Sequence, residues 1–152
     1  MADDTSDRPV LRMSNTQQLL EMVEELMDDG QMRLWHDQDG RSFATIQTGT
    51  HDENLIIGSS IFQFRMRQLF YLHTRQVMPG RSLKEIVDYL EGLAVLEGDN
   101  LVSSYRVHRS GETICIDLGD DDWLYVEVTP EKWEVKSNKG PNFWRPNDTR
   151  AL

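Results

Sequence analysis

The chain has 152 residues, a formal net charge of -10, 38% hydrophobic residues, 28% charged residues and one cysteine. This length fits one domain with a sizeable core, and the composition excludes a disordered chain. The apolar runs are too short to span a membrane, the N-terminus lacks a signal-peptide pattern, and Cys115 has no partner for an internal disulfide. We therefore expect a cytoplasmic protein without a membrane partner.

The N-terminal half predicts a tail, a helix and a hairpin. Residues 1–13 are polar, acidic and aperiodic, which indicates a flexible tail before a single α+β domain over residues 14–152. Ser14 and Gln17 have the spacing of a capping box, and the helix they begin should end at Gly30. Its apolar stripe is Leu19, Met22, Val23 and Leu26. Strands at 32–35 and 42–46 then form a small hairpin, to which residues 55–57 add a short strand.

Two central helices and a β-meander follow. The first helix is predicted from a cap at Ser59 or Ser60 to about residue 76, and the second from a cap at Ser82 to Gly98. Strands are predicted at 101–108, 113–118, 123–128 and 133–137, and their short connections favour antiparallel pairing. We interpret the aromatic side chains of this region as core and sheet-face residues. These are Trp123, Tyr125, Trp133 and Trp144.

The first central helix carries the candidate binding residues. Its core stripe is Phe62, Met66, Leu69 and Phe70, and the helical repeat brings a second set together on the opposite side. That set is Phe64, Arg67, Tyr71 and Arg75. Two aromatic rings and two guanidinium groups on an outward face suit unpaired bases and their phosphates. The alternative is that Phe64 and Tyr71 pack beneath the strands, with the helix buried on both sides.

Charge patterning is compatible with one anionic contact. Residues 61–84 contain five bases and no acid, whereas residues 1–29 contain eight acids and two bases. An ordinary solvated helix face gives the same pattern. In the strand at 101–108, alternation places Arg106 and His108 on one face, where they either extend the basic surface or form the polar face of the sheet.

Signatures of catalysis are missing from the sequence. It contains no P-loop, no nucleophile elbow and no zinc-ligand spacing among its four histidines, so we expect no enzyme, no cofactor and no metal site. The acidic turn at residues 117–122 lacks the spacing of a calcium loop. A solvated hairpin turn is one interpretation of it, and a magnesium–phosphate contact or a hydrolase site is the other.

The most specific segments lie in the C-terminal third. They are Ile116-Asp117-Leu118-Gly119-Asp120, Val126-Glu127-Val128-Thr129-Pro130, Trp133-Glu134-Val135 and Phe143-Trp144-Arg145-Pro146. With these segments the chain resembles, over nearly its whole length, the N-terminal accessory region of phage and mobile-element primase/helicase-like proteins. The resemblance implies a non-catalytic module that engages single-stranded DNA or a replication partner. Its motor would be a helicase-type ATPase module in the same or a neighbouring chain.

A second hypothesis comes from the acidic face of the first helix. Its carboxylates could imitate DNA phosphates toward a basic host protein, as a phage-encoded inhibitor of a nucleic-acid-binding enzyme would do. The residues of this face are Glu21, Glu24, Glu25, Asp28 and Asp29.

Overall fold

A computed structural model describes residues 13–137, 140–147 and 149–152 and confirms the α+β fold. Apart from Met13, the predicted acidic tail lies outside the described residues. The helices are α1 (Asn15–Asp28), α2 (Ser60–Thr74) and α3 (Gly80–Leu96). The strands are β1 (Met32–His36), β2 (Ser42–Thr48), β3 (His51–Ile56), β4 (Asp99–Asn100), β5 (Ser103–Tyr105), β6 (Val107–Ser110), β7 (Thr113–Asp117), β8 (Tyr125–Val128), β9 (Trp133–Lys136) and β10 (Asn142–Trp144). None of the described helices is both long enough and apolar enough to cross a membrane.

Two of the three helices have the N-terminal cap that the sequence predicts. The Ser14 side chain accepts a hydrogen bond from the backbone N–H of Gln17, which completes the predicted capping box of α1. Ser59 caps α2 in the same way through the N–H of Phe62. The predicted cap at Ser82 is wrong, because α3 begins earlier, after Pro79, without a side-chain cap. Proline has a fixed φ and no N–H to satisfy, which suits it to a helix start.

The first sheet has the strand order β3-β2-β1-β4. β1, β2 and β3 are antiparallel neighbours, and β4 pairs in parallel with β1 after the crossover through α2 and α3. One sheet face packs against the helices and forms the main core with them. This core includes Leu19, Val23, Met32, Ala44, Phe62, Met66, Phe70, Leu83, Leu90 and Ala94. On the opposite face Trp35 and Phe43 stack with ring centroids 4.3 Å apart.

The C-terminal strands form the predicted antiparallel meander, in the order β6-β7-β8-β9. Its inner face carries Cys115 and Tyr125, which pack against Phe143 of β10 in a second, smaller core. β10 also pairs in parallel with β5, and this contact is not among the predictions. The strand predicted at 123–128 begins only at Tyr125, because Trp123 adopts a positive φ of 55° that ends the extended backbone.

Candidate nucleic-acid interface

The outward side of α2 is exposed, as its helical repeat predicts. Phe62, Met66 and Phe70 are fully buried against the core. On the other side Phe64 is 65% exposed and Tyr71 is 48% exposed. The alternative in which Phe64 and Tyr71 pack beneath the strands is therefore wrong. We name Phe64, Arg67, Tyr71 and Arg75 the α2 surface.

The two arginines of the α2 surface are free of carboxylates. Within the described part of the chain, neither Arg67 nor Arg75 makes an ion pair. Arg65, one position from the surface, instead pairs with Glu53 at 2.6 Å and donates to the Thr48 hydroxyl at 2.8 Å. Arg65 thus ties α2 to β3, while Arg67 and Arg75 keep their charge available for an anion.

The end of α2 fixes the position of Arg75. This residue caps the helix in a left-handed conformation, with φ 58°, and its N–H donates to the Tyr71 carbonyl at 2.7 Å. Its guanidinium carbon lies 5.6 Å from the centroid of the Tyr71 ring, within the range of a cation–π contact. Ring and guanidinium are therefore held side by side, which presents an aromatic face and a positive charge to the same ligand.

Arg106 and His108 hydrogen-bond with residues outside α2. The predicted strand at 101–108 breaks at Arg106, which has a φ of 62° and separates β5 from β6. The Arg106 guanidinium turns to the C-terminal segment, where Nη2 donates to the Arg150 carbonyl. His108 Nδ1 hydrogen-bonds with the Ser104 hydroxyl at 2.8 Å. The prediction that these two side chains share a strand face is wrong, because Arg106 has a positive φ and lies outside both strands. The main packing partners of α2 are α1, α3 and β3.

The acidic turn at residues 117–122 is built around a buried ion pair. Asp117 is buried and binds Arg145 twice, through Nη2 at 2.6 Å and Nε at 2.9 Å. Arg145 Nη1 also donates to the Asp120 carbonyl at 2.6 Å, and the guanidinium lies 4.0 Å from the centroid of the Trp123 ring. The solvated-turn interpretation is therefore wrong for Asp117. We name Asp117, Arg145 and Trp123 the Asp117 clamp.

A second cluster of the same composition lies at the β1–β2 turn. Asp37 accepts from Arg41 Nε at 2.8 Å, from the Ser103 hydroxyl at 2.7 Å, and from the backbone N–H groups of Arg41 and Asp39. Arg41 lies over the Trp144 ring at 4.7 Å. We name Asp37, Arg41 and Trp144 the Asp37 clamp. Trp144 and Arg145 are adjacent, at the end of β10. The Asp37 clamp therefore ties this end of β10 to the first sheet, and the Asp117 clamp ties it to the meander.

A polar cleft of about 220 Å³ separates the first sheet from the meander. Thr45 and Asn54 line the cleft and belong to a hydrogen-bond chain, in which the Trp35 indole donates to the Thr45 hydroxyl at 2.8 Å and Thr45 donates to Asn54 at 2.7 Å. The Asn54 amide then donates to the Phe143 carbonyl at 3.0 Å. Each of these buried side chains has a hydrogen-bond partner, and the bond from Asn54 holds β10 in place.

Sequence reasoning missed both clamps. The sequence contains one signal for the Asp117 clamp. Arg145 is a base inside the aromatic segment 143–146, which makes it a candidate partner for a buried carboxylate. Among the described residues, no group of three or more His, Cys, Asp or Glu side chains is placed to hold a metal ion. The chain matches no protein-family model, no curated protein and no solved structure.

Proposed function

We propose that this chain binds single-stranded DNA through the α2 surface, as a non-catalytic, cytoplasmic accessory module of a phage-type primase/helicase system. The observation that carries the proposal is the pairing of two exposed aromatic rings with two arginines that make no ion pair to any described residue, on a chain of net charge -10. The resemblance to primase/helicase accessory regions supplies the setting, with a helicase-type ATPase module as the neighbouring motor.

The chemistry of the α2 surface suits a flexible, unpaired strand. Aromatic rings stack on any base, and each stacked base contributes about 1–3 kcal/mol. Arginine binds the phosphates and stacks through its planar guanidinium. Phe64 and Arg75 are eleven positions apart on one helix face, which corresponds to about 16 Å. A surface of this length fits a short stretch of single strand, and its sequence preference should be weak because no base-edge reader is required.

Removing the two arginines should weaken binding and reduce its salt dependence. For single strands the slope of log K against log salt has a magnitude of about 0.7 for each phosphate that the protein neutralises. We therefore expect Arg67→Ala with Arg75→Ala to flatten the slope by about 1.4. Fluorescence anisotropy with a labelled oligothymidine, titrated at several salt concentrations, measures this slope. Arg81→Ala is the matched control, because Arg81 is exposed and pairs with Glu85 on α3. Equal slopes for the wild type and the double variant would remove the arginines from the proposal.

Removing either aromatic ring of the α2 surface should lower the affinity for DNA without changing its salt dependence. Phe64→Ala and Tyr71→Ala should each lower the affinity by about 5- to 150-fold, the equivalent of about 1–3 kcal/mol, and leave the salt slope unchanged. The same titrations measure both quantities. Tyr89→Ala is the matched control, since Tyr89 is a similarly exposed aromatic residue on α3. A ring variant that binds as tightly as the wild type would show that bases do not stack there.

A second candidate function rests on the acidic face of α1. All five of its carboxylates are exposed, and none forms an ion pair within the described ranges. Such a face could bind a basic host nucleic-acid-binding enzyme in place of DNA. A native electrophoretic shift with single-stranded DNA favours the α2 surface. Binding of a purified basic nuclease without DNA, abolished by Glu24→Lys with Glu25→Lys, favours the α1 face.

A further inference from the structure

The outer face of the meander is an exposed apolar surface. Strand register places eight side chains on it, in two rows that each take one residue from every strand. The first row, from β6 to β9, is Arg109, Ile114, Val128 and Trp133. The second row is Val107, Ile116, Val126 and Val135. We name these eight residues the outer face, and Arg109 is its single charged member.

Nothing in the described part of the chain covers the outer face. Trp133 is 69% exposed, Val107 53%, Val135 52% and Ile114 36%, and the remaining aliphatic side chains are half-buried. Trp133 is therefore a sheet-face residue and not a core residue. A solvated face of an antiparallel sheet is usually polar, so seven apolar side chains on one such face indicate a contact with another surface. The inner face cannot take this role, because it already packs against Phe143.

The pattern of the outer face is complementary to itself. A two-fold axis parallel to the strands lays β6 of one copy over β9 of the other and reverses each row. Arg109 then lies opposite Trp133 of the second copy, and this contact occurs twice, as in any isologous interface. Within the first row, Ile114 also meets Val128 of the second copy. The second row brings aliphatic side chains together at every position.

The exposed groups at the two edges suit this pairing. Arg109 Nε donates to the Gly111 carbonyl at 3.1 Å, while its guanidinium makes no ion pair among the described residues. Trp133 is the most exposed aromatic side chain of the described residues. A guanidinium over an indole face is a favourable cation–π contact, and tryptophan is its best acceptor. Each copy therefore offers one cation and one aromatic face at opposite edges.

The area of the outer face is at the lower end of what a specific dimer needs. The four largest exposed fractions correspond to roughly 400 Å², with full side-chain areas on the order of 150–250 Å². Adding Arg109 and the half-buried residues gives roughly 500–600 Å² per copy, or about 1,000–1,200 Å² in total, which reaches the lower bound for specific interfaces. The size therefore fits a weak, concentration-dependent association.

We propose that two copies of this chain pack through their outer faces into a two-fold symmetric β-sandwich, with Arg109 of each copy over Trp133 of the other. Face-to-face packing of sheets places them about 10 Å apart with strands within about 30° of each other, which keeps the rows in register over this short width. The interface is independent of the proposed function, because the α2 surface lies on another element.

Sedimentation velocity across a concentration series tests the proposal. From low micromolar to about 1 mM, the apparent mass of the wild type should rise toward twice the 17.7 kDa of one chain. Trp133→Glu should remain monomeric over this range. Tyr89→Glu, which changes another exposed aromatic residue, on α3, should associate like the wild type. Circular dichroism confirms that each variant is folded.

A swap of the two edge residues identifies the symmetry. Arg109→Trp and Trp133→Arg should each weaken the dimer about 10-fold or more, since neither variant can form the two cation–π pairs. Both changes together should restore the affinity to within about 3-fold of the wild type, because arginine again meets tryptophan. The two positions lie on opposite edges of one sheet, so only contact between copies can produce this rescue.

Four results would overturn the proposal. They are a monomeric wild type at the highest concentration, a Trp133→Glu variant that dimerises normally, a double swap as weak as its single variants, and species that grow beyond a dimer. The last result would indicate open pairing of strand edges.

Discussion

Replacing Arg145 with methionine is expected to lower the free energy of unfolding by about 3–5 kcal/mol, the range seen when one partner of a buried ion pair is removed. Asp117 would remain buried without its two guanidinium hydrogen bonds, of 2.6 and 2.9 Å. Trp123 would also lose the guanidinium that lies 4.0 Å from its ring centroid. For a chain of this size, such a change corresponds to a fall in melting temperature of about 6–20 °C.

Thermal and urea unfolding, followed by circular dichroism, measure this effect. Lys132→Met is the matched control, because it removes an exposed ion pair with Glu134 and should leave the midpoint nearly unchanged. Combining Arg145→Met with Asp117→Leu should recover much of the stability, since an apolar pair leaves no buried charge. A single Arg145→Met variant that melts with the wild type would show that the pair contributes little.

The features that the sequence predicts correctly are local. A helical repeat of about 3.6 residues separates Phe62 and Met66 from Phe64 and Tyr71, and burial in the structure follows that separation. The Ser14 cap depends on a contact three residues away. The meander follows from short connections between strands, which leave antiparallel pairing as the simple solution. Each of these predictions uses information contained within a short stretch of the chain.

The missed features depend on contacts between distant parts of the chain. The Asp117 clamp joins residues 28 positions apart, and the Asp37–Ser103 hydrogen bond joins residues 66 apart. Neither pairing leaves a periodic signal. The break at Arg106 also coincides with a long-range contact, the hydrogen bond from its guanidinium to the Arg150 carbonyl, 44 positions away. Local alternation therefore predicts an unbroken strand where the fold requires a turn.

Alternation also has a limit at the outer face. Side chains alternate between the two faces of a strand, so residues of different strands can be assigned to one face only once the register is known. The alternation also does not show whether that face is covered. The residues concerned are Val107, Ile116, Val126 and Val135. In the structure the covered face is the one with Cys115, Tyr125 and Asp117. The usual assignment, with valines inside and carboxylates outside, is reversed here, since Asp117 is buried while Val107 and Val135 are exposed. Arg145, which directly follows β10, pairs with the buried carboxylate.

Asp37→Asn is expected to remove about 2–4 kcal/mol of stability at neutral pH, because it removes hydrogen bonds to a charged acceptor. Burial alone would raise the pKa of Asp37, but hydrogen bonds from Ser103, Arg41 and Asp39 outweigh it and hold the pKa below its ordinary value. The carboxylate accepts all of these bonds within 3.0 Å. An amide in the same place would direct its own N–H groups at donors.

The pH dependence has a definite sign. Since the pKa of Asp37 is lower in the folded chain than in the unfolded chain, its contribution is fully present above about pH 4 and is lost as the pH falls through the folded value. Urea unfolding at neutral pH and at about pH 3 should therefore show the wild type and Asp37→Asn converging in acid. Asp39→Asn, in the same turn but exposed, should follow the wild type at both values. A gap between the wild type and Asp37→Asn that stays constant in acid would show that ionised Asp37 is not what stabilises this turn.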